Sequence, residues 1–151
     1  MAPTPYRRMR RVTEAAIMRA LLGLLGRMTP DRASGIGGAI GRTIGPHLGV
    51  TRRAERNLRL CFSEKNAAEI TAIIRAMWDN IGRTIFEYAH LNSFRFYEKG
   101  SRVEVRGMEH VEQVVRDGRG AIFVSGHFAN WELLAAGLVQ RGLAVMTVYC
   151  A

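Results

Sequence analysis

Gly120-Ala121-Ile122-Phe123-Val124-Ser125-Gly126-His127-Phe128-Ala129-Asn130-Trp131-Glu132 is the stretch on which the reading of this chain turns. Residues 121–125 form a short apolar run between glycines, the pattern of a buried strand. From Asn130 the spacing becomes helical until Gly142, so the stretch reads as strand, turn and helix. Glu132 is the only formally charged residue in 121–140. A carboxylate buried among Ile, Phe, Val, Trp and Leu without a partner costs several kcal/mol, and His127 is the nearest polar side chain able to hold it charged. Neighbours on one helical face are three or four residues apart. At about 100° per residue, five residues place the pair roughly 140° apart. His127 therefore belongs to the turn and Glu132 to the first helical turn, where the helix dipole favours an anion.

The segments on either side continue the same alternation of period. Val103-Glu104-Val105-Arg106 alternates as a strand, and residues 107–117 have helical spacing through Met108, Val111, Val114 and Val115, closed by Gly118. Residues 130–141 read as an apolar helix and 143–149 as another buried strand. The order βαβαβ predicts an α/β fold, the start of a mainly parallel sheet covered by helices. In such sheets sites form beyond the carboxyl ends of strands, where His127 falls.

The first half of the chain has a different character. The 151 residues carry a net charge of +9 and 48% apolar residues, which excludes a disordered chain and suits a single domain. Residues 1–60 hold 12 Arg and 3 acids, whereas 61–151 hold 10 basic and 10 acidic residues, so the whole excess lies at the front. Such a block suits an anionic partner. Tyr6-Arg7-Arg8-Met9-Arg10-Arg11 leads into an apolar segment, 15–25, that Arg19 interrupts. It is too short and too charged to span a bilayer and lacks a cleavage site, so an interfacial amphipathic helix is expected.

Gly37, Gly41, Gly45 and Gly49 then recur every four residues beside Ile36, Ile40, Ile44 and Leu48. Four-residue spacing sets the glycines on one helical stripe open to close approach by another helix, a device used heavily in membranes, and Pro46 should end the helix. A dinucleotide fingerprint is discarded, because its third glycine would fall at Ile40 and no strand precedes it. Residues 51–60 are basic and helical, with Arg52, Arg53 and Arg56 either a solvated face or contacts to phosphate or lipid headgroups. Asn66 and Glu69 form a capping-box pattern. The helix beyond them has a 3.6-residue apolar period through Ile70, Ile73, Ile74, Met77, Trp78, Ile81, Ile85, Tyr88 and Leu91. Cys61 and Cys150 match no metal spacing, so a reduced compartment without structural metal is the default. Two regions result: residues 1–62, basic, helical and membrane-associated, and residues 63–151, the start of the α/β domain.

An imidazole oriented by a carboxylate beside an apolar pocket is the general-base half of acyl transfer without a serine nucleophile. Ser125 lacks the GxSxG elbow of a nucleophile. For the pair alone, the bland reading is a satisfied strand-end histidine and a helix-capping glutamate.

The wider context resembles one family. The run from Gly118 to Leu133, with His127, four residues and then Glu132, and with Asn130-Trp131 between them, is similar to the first motif of the bacterial lipid A biosynthesis acyltransferases, members of the lysophospholipid acyltransferase superfamily. Arg56-Asn57-Leu58-Arg59-Leu60-Cys61-Phe62 resembles the upstream Arg-Asn-Leu-x-x-Cys-Phe segment of that family, and Arg106-Gly107-Met108-Glu109-His110 the entry to its catalytic domain. The resemblance implies an O-acyltransferase at the cytoplasmic face of the bacterial inner membrane. It would move a fatty acyl group from acyl carrier protein to a hydroxyl of a lipid A precursor and need no metal or cofactor. His127 would be the general base and Glu132 its orienting partner. Arg52, Arg53, Arg56, Asn130 and Trp131 are candidate contacts for lipid or carrier.

Family members continue with Arg-Pro and further basic and Asn motifs, where this chain reads Cys150-Ala151. The expectation is an incomplete acyltransferase domain, an N-terminal half with little activity alone. Transfer to another glycolipid or to a glycerophospholipid, or a non-catalytic lipid-binding module at the membrane surface, are the rival readings. Nucleic acid is disfavoured because the basic block is interleaved with Leu, Ile and Gly and lacks exposed aromatics.

Overall fold

The computed structural model describes residues 5–126 and 128–146. Its six helices are α1 (Pro5–Leu25), α2 (Pro30–Ile44), α3 (Thr51–Cys61), α4 (Ala67–Glu87), α5 (Met108–Asp117) and α6 (Glu132–Gln140), with short 3-10 helices at Gly45–His47 and Tyr88–Ser93. Two compact units divide between Ala89 and His90. Among the described residues no helix is long and apolar enough to cross a membrane.

In the first unit, local chemistry sets each helix boundary. The Thr29 side chain accepts from the Arg32 amide, Pro30 occupies the first turn and Asp31 complements the dipole. α2 ends at Ile44, one residue before the Gly45-Pro46 pair. Asn66 and Glu69 close a reciprocal capping box at the head of α4, with Asn66 N donating to Glu69 Oε2 (2.9 Å) and Glu69 N to Asn66 Oδ1 (3.0 Å).

The core of this unit is the crossing of α2 and α4. Gly37, Gly38 and Gly41 are buried on α2 and meet Trp78, Asp79, Gly82, Arg83 and Phe86 of α4. A methyl group at Gly37 would lie 2.7 Å from Phe86 Cγ, and one at Gly41 would lie 2.9 Å from the backbone carbon of Trp78. The two backbones are in direct apposition, which only glycine permits. The glycine stripe thus finds its partner inside this chain. Trp78 pins the next turn: its indole Nε1 donates to Thr51 Oγ1 (2.9 Å), which donates to the Gly45 carbonyl (2.7 Å).

A polar seam runs along the same crossing. Asp79 accepts from Arg83 Nε (2.7 Å) and from Arg42, and Ser34 Oγ donates to Glu87 Oε1 (2.8 Å). The Arg83 hydrogen bond is the largest cause holding the Asp79 carboxyl below its ordinary range; the charges of Arg83 and Arg42 add to it and partial burial opposes it. A carboxylate whose folded-state value is depressed contributes stability above its unfolded value and loses it as pH falls through the folded one. The first unit should therefore lose stability as pH drops from about 4 downward. Asp79→Asn should flatten that acid limb by at most about 1 kcal/mol, since the pair is partly exposed. Thermal melts of both proteins across that range check it.

The second unit corrects the expected fold class. Among its described residues there is no strand: 103–106, 121–125 and 143–146 run without a ladder, and Ile122 and Val124 are 92% and 91% exposed. Tyr149 and the rest of the third expected strand lie outside the described residues. Alternation and short apolar runs report where side chains could be buried, whereas a strand also needs a neighbour to take its N–H and C=O groups. None of these segments pairs with another, so the described chain is helical and is not an α/β fold with a parallel sheet. The helical part of the reading fares differently: α5 and α6 form where the period indicated, followed by Gly118 (φ 61°) and Gly142 (φ 89°) in the left-handed region that glycine tolerates.

Candidate active site

The turn before α6 is tightly wound. Phe128 N donates to the Gly126 carbonyl (2.8 Å), and Ala129 has φ 46°, the left-handed region that residues with a Cβ seldom occupy. Strain of this kind costs about 1–3 kcal/mol and persists where the surroundings over-determine it, commonly at functional turns. His127 itself lies outside the described residues. Asn130 is buried directly after the strained residue, and Leu133 N donates to its carbonyl (3.2 Å), so Asn130 begins the helical hydrogen bonding.

Glu132 is the first residue of α6, where the unsatisfied amides of the first turn favour a carboxylate. The Trp131 indole Nε1 donates to Glu132 Oε1 (3.2 Å). The carboxylate opens onto a shallow cleft of about 630 Å³. Ala135, Ala136 and Val139 continue the α6 wall below it, Leu91 adds an apolar contact, and Arg95, Glu98, Asn92 and Gln140 supply the polar rim. Its lining combines apolar side chains that can meet hydrocarbon with charged and amide groups that can meet a polar head.

Loop residues brace this wall. Phe96 is buried against Gly137, where a methyl group would sit 3.0 Å from its ring. Tyr97 Oη donates to the Gly137 carbonyl (3.0 Å), and Gln140 Nε2 donates to the Phe94 carbonyl (2.8 Å). Arg141 joins Glu112 of α5 (2.8 Å) and lies 5.7 Å from the Tyr97 ring centre. Arg95 and its neighbours escape a reading by periodicity because 94–100 has none. The available signal is composition: four aromatic or cationic residues, Phe94-Arg95-Phe96-Tyr97, in an otherwise irregular loop.

Of the residues singled out from the sequence, Asn130, Trp131 and Glu132 come together at the start of α6. Arg52, Arg53 and Arg56 lie on α3 of the first unit, all exposed. Their neighbour Arg59 is held by Glu55, with Nη2 to Oε1 at 2.8 Å.

A family model described as bacterial lipid A biosynthesis acyltransferase matches residues 4–151 of this chain. Lipid A biosynthesis lauroyltransferase of Escherichia coli (strain K12) is 31% identical over 101 residues, covering 64% of this chain and 33% of that protein. The aligned part thus spans about a third of the length of this curated relative. No solved structure matches significantly.

Proposed function

Because the chain belongs to the bacterial lipid A biosynthesis acyltransferase family, we propose that it serves acyl transfer from an acyl carrier protein thioester to a hydroxyl of a lipid A precursor at the cytoplasmic face of the inner membrane. The observation that carries the reading is Glu132 at the head of α6, facing a cleft with an apolar wall and a polar rim. In this mechanism His127 takes the proton of the acceptor hydroxyl as that oxygen attacks the thioester carbonyl. The C–S bond then breaks, the carrier thiolate leaves with the proton from His127, and the new ester bond remains on the acceptor. Glu132 orients the imidazole and stabilises its protonated form, while Trp131 steadies the carboxylate. Ala135, Ala136 and Val139 line the acyl chain. Arg52, Arg53 and Arg56 supply positive charge for the acidic carrier or for lipid phosphates.

The test is acyl transfer by the full-length protein, from labelled acyl carrier protein to the lipid A precursor, with His127→Ala. Loss of a general base is worth about 10²- to 10⁴-fold in rate, and the variant should fall by that factor while still binding membrane. Transfer at an unchanged rate would exclude the mechanism. Absence of transfer by the unsubstituted protein, together with retained lipid binding, would favour a non-catalytic lipid-binding module.

A further inference from the structure

The cleft at Glu132 holds one cation that the proposed mechanism leaves idle. Among the described residues that line it, Arg95 is the only basic side chain, against two acids, Glu98 and Glu132. The backbone there is fixed from both sides. The Arg95 carbonyl accepts from Ser101 Oγ, while Phe96 packs on Gly137 of α6 and Tyr97 Oη donates to the Gly137 carbonyl. One hydrogen bond aims the guanidinium, from Nη1 to the Asn92 carbonyl at 2.7 Å. Nε lies 3.6 Å from Glu98 Oε1, too far for a hydrogen bond, and the side chain is 52% exposed. Nη2 has no acceptor among the described residues.

We propose that Arg95 grips a phosphate group of a substrate lying in the cleft and thereby selects phosphorylated substrates for transfer. The planar fork of a guanidinium matches two phosphate oxygens, and such charge-assisted pairs are stronger than neutral hydrogen bonds. An ion pair as long and exposed as that with Glu98 holds little free energy, so a phosphate displaces that carboxylate at small cost. Gln140 Nε2 is already donated to the Phe94 carbonyl, which leaves the fork of Arg95 as the strongest open donor of the cleft. A ligand with an acyl chain against Ala135, Ala136 and Val139 and a phosphate at Arg95 answers both parts of the lining. With Glu98 and Glu132 both acidic, an anionic ligand has no other cation to meet there. The inference rests on the proposed function for the identity of the two substrates. Either can bring the phosphate: the lipid acceptor through a phosphate ester, or the carrier through the phosphodiester of its acyl-bearing arm.

The experiment is steady-state acyl transfer by the full-length protein and its Arg95→Ala variant, each substrate varied in turn. The KM of the phosphate-bearing substrate should rise about tenfold to a hundredfold, with a far smaller change in kcat. Arg95→Lys, which keeps the charge without the fork, should recover part of the loss. A rise for the acceptor that vanishes with dephosphorylated precursor places the phosphate on the lipid. A rise for the acyl carrier protein thioester that persists with that acceptor places it on the carrier. Calorimetric binding of the precursor and of the carrier, each without the other, repeats the comparison without catalysis. Unchanged KM and Kd for both substrates in Arg95→Ala would overturn the proposal. So would an equal loss for precursor with and without phosphate while the donor is unaffected, or losses that track a lowered melting temperature and are not relieved by Arg95→Lys. Binding that depends on Arg95 beside transfer indifferent to His127→Ala would sink the catalytic reading and leave this one standing; transfer that depends on His127 but not on Arg95 would do the reverse.

Discussion

Gly41→Ala should destabilise the first unit by about 1–3 kcal/mol, whereas Gly35→Ala on the same helix should stabilise it by about 0.5–1 kcal/mol. At Gly41 the new methyl group would meet the Trp78 backbone at 2.9 Å and Gly82 Cα at 3.4 Å. Neither can rotate aside, so the two helices must separate and give up contacts along the crossing. At Gly35 nothing lies within 4 Å, and the substitution only removes the conformational entropy that glycine forfeits in a helix. Larger residues at Gly41, such as Val, should prevent the crossing altogether. Urea denaturation followed by the far-ultraviolet signal gives the sign of each change. Two substitutions of the same sign would mean that α2 and α4 do not meet through their glycines.

The four-residue recurrence of glycine announces a helix that expects a neighbour, and the period beginning at Ile70 announces α4. Nothing in either pattern says that the two are each other's partner, because packing between elements is non-local and a stripe of small residues fits many faces. The same limit hid the seam of Asp79, Arg83 and Arg42, whose members are 37 and 41 positions apart between helices or four apart along one. It also hid the exposure of Ile36, Ile40 and Ile44.

The expected sheet failed for a related reason. The run 121–125 is locally well suited to a strand, but local suitability supplies only one side of a ladder. Around Glu132 more was legible, since a lone carboxylate at the head of an apolar helix is a local feature. The loop beside the cleft was not: Phe96 and Tyr97 reach Gly137 of α6 across about 40 residues of sequence.

Glu132→Gln should reduce the turnover of acyl transfer by about 10²- to 10³-fold with little change in KM for the acyl donor. Glutamine keeps the size of the side chain, and its carbonyl can still accept from the Trp131 indole that now meets Glu132 Oε1 at 3.2 Å. The head of α6 should therefore stay folded and the cleft keep its shape. What is lost is the negative charge that, in the proposed mechanism, orients the imidazole of His127 and favours its protonated form during proton transfer. Without that charge the imidazolium releases its proton more readily, so the acid limb of the rate–pH profile should move to lower pH even as the plateau falls. Trp131→Phe, which removes one hydrogen bond and leaves the charge, should cost far less, about threefold to tenfold, in line with a net hydrogen bond of about 0.5–1.5 kcal/mol. A merely structural role for Glu132 would lower melting temperature and activity together and leave the pH profile in place. Steady-state kinetics over a pH series, with melting curves on the same preparations, distinguish the two outcomes, and undiminished turnover in Glu132→Gln would remove the carboxylate from the mechanism.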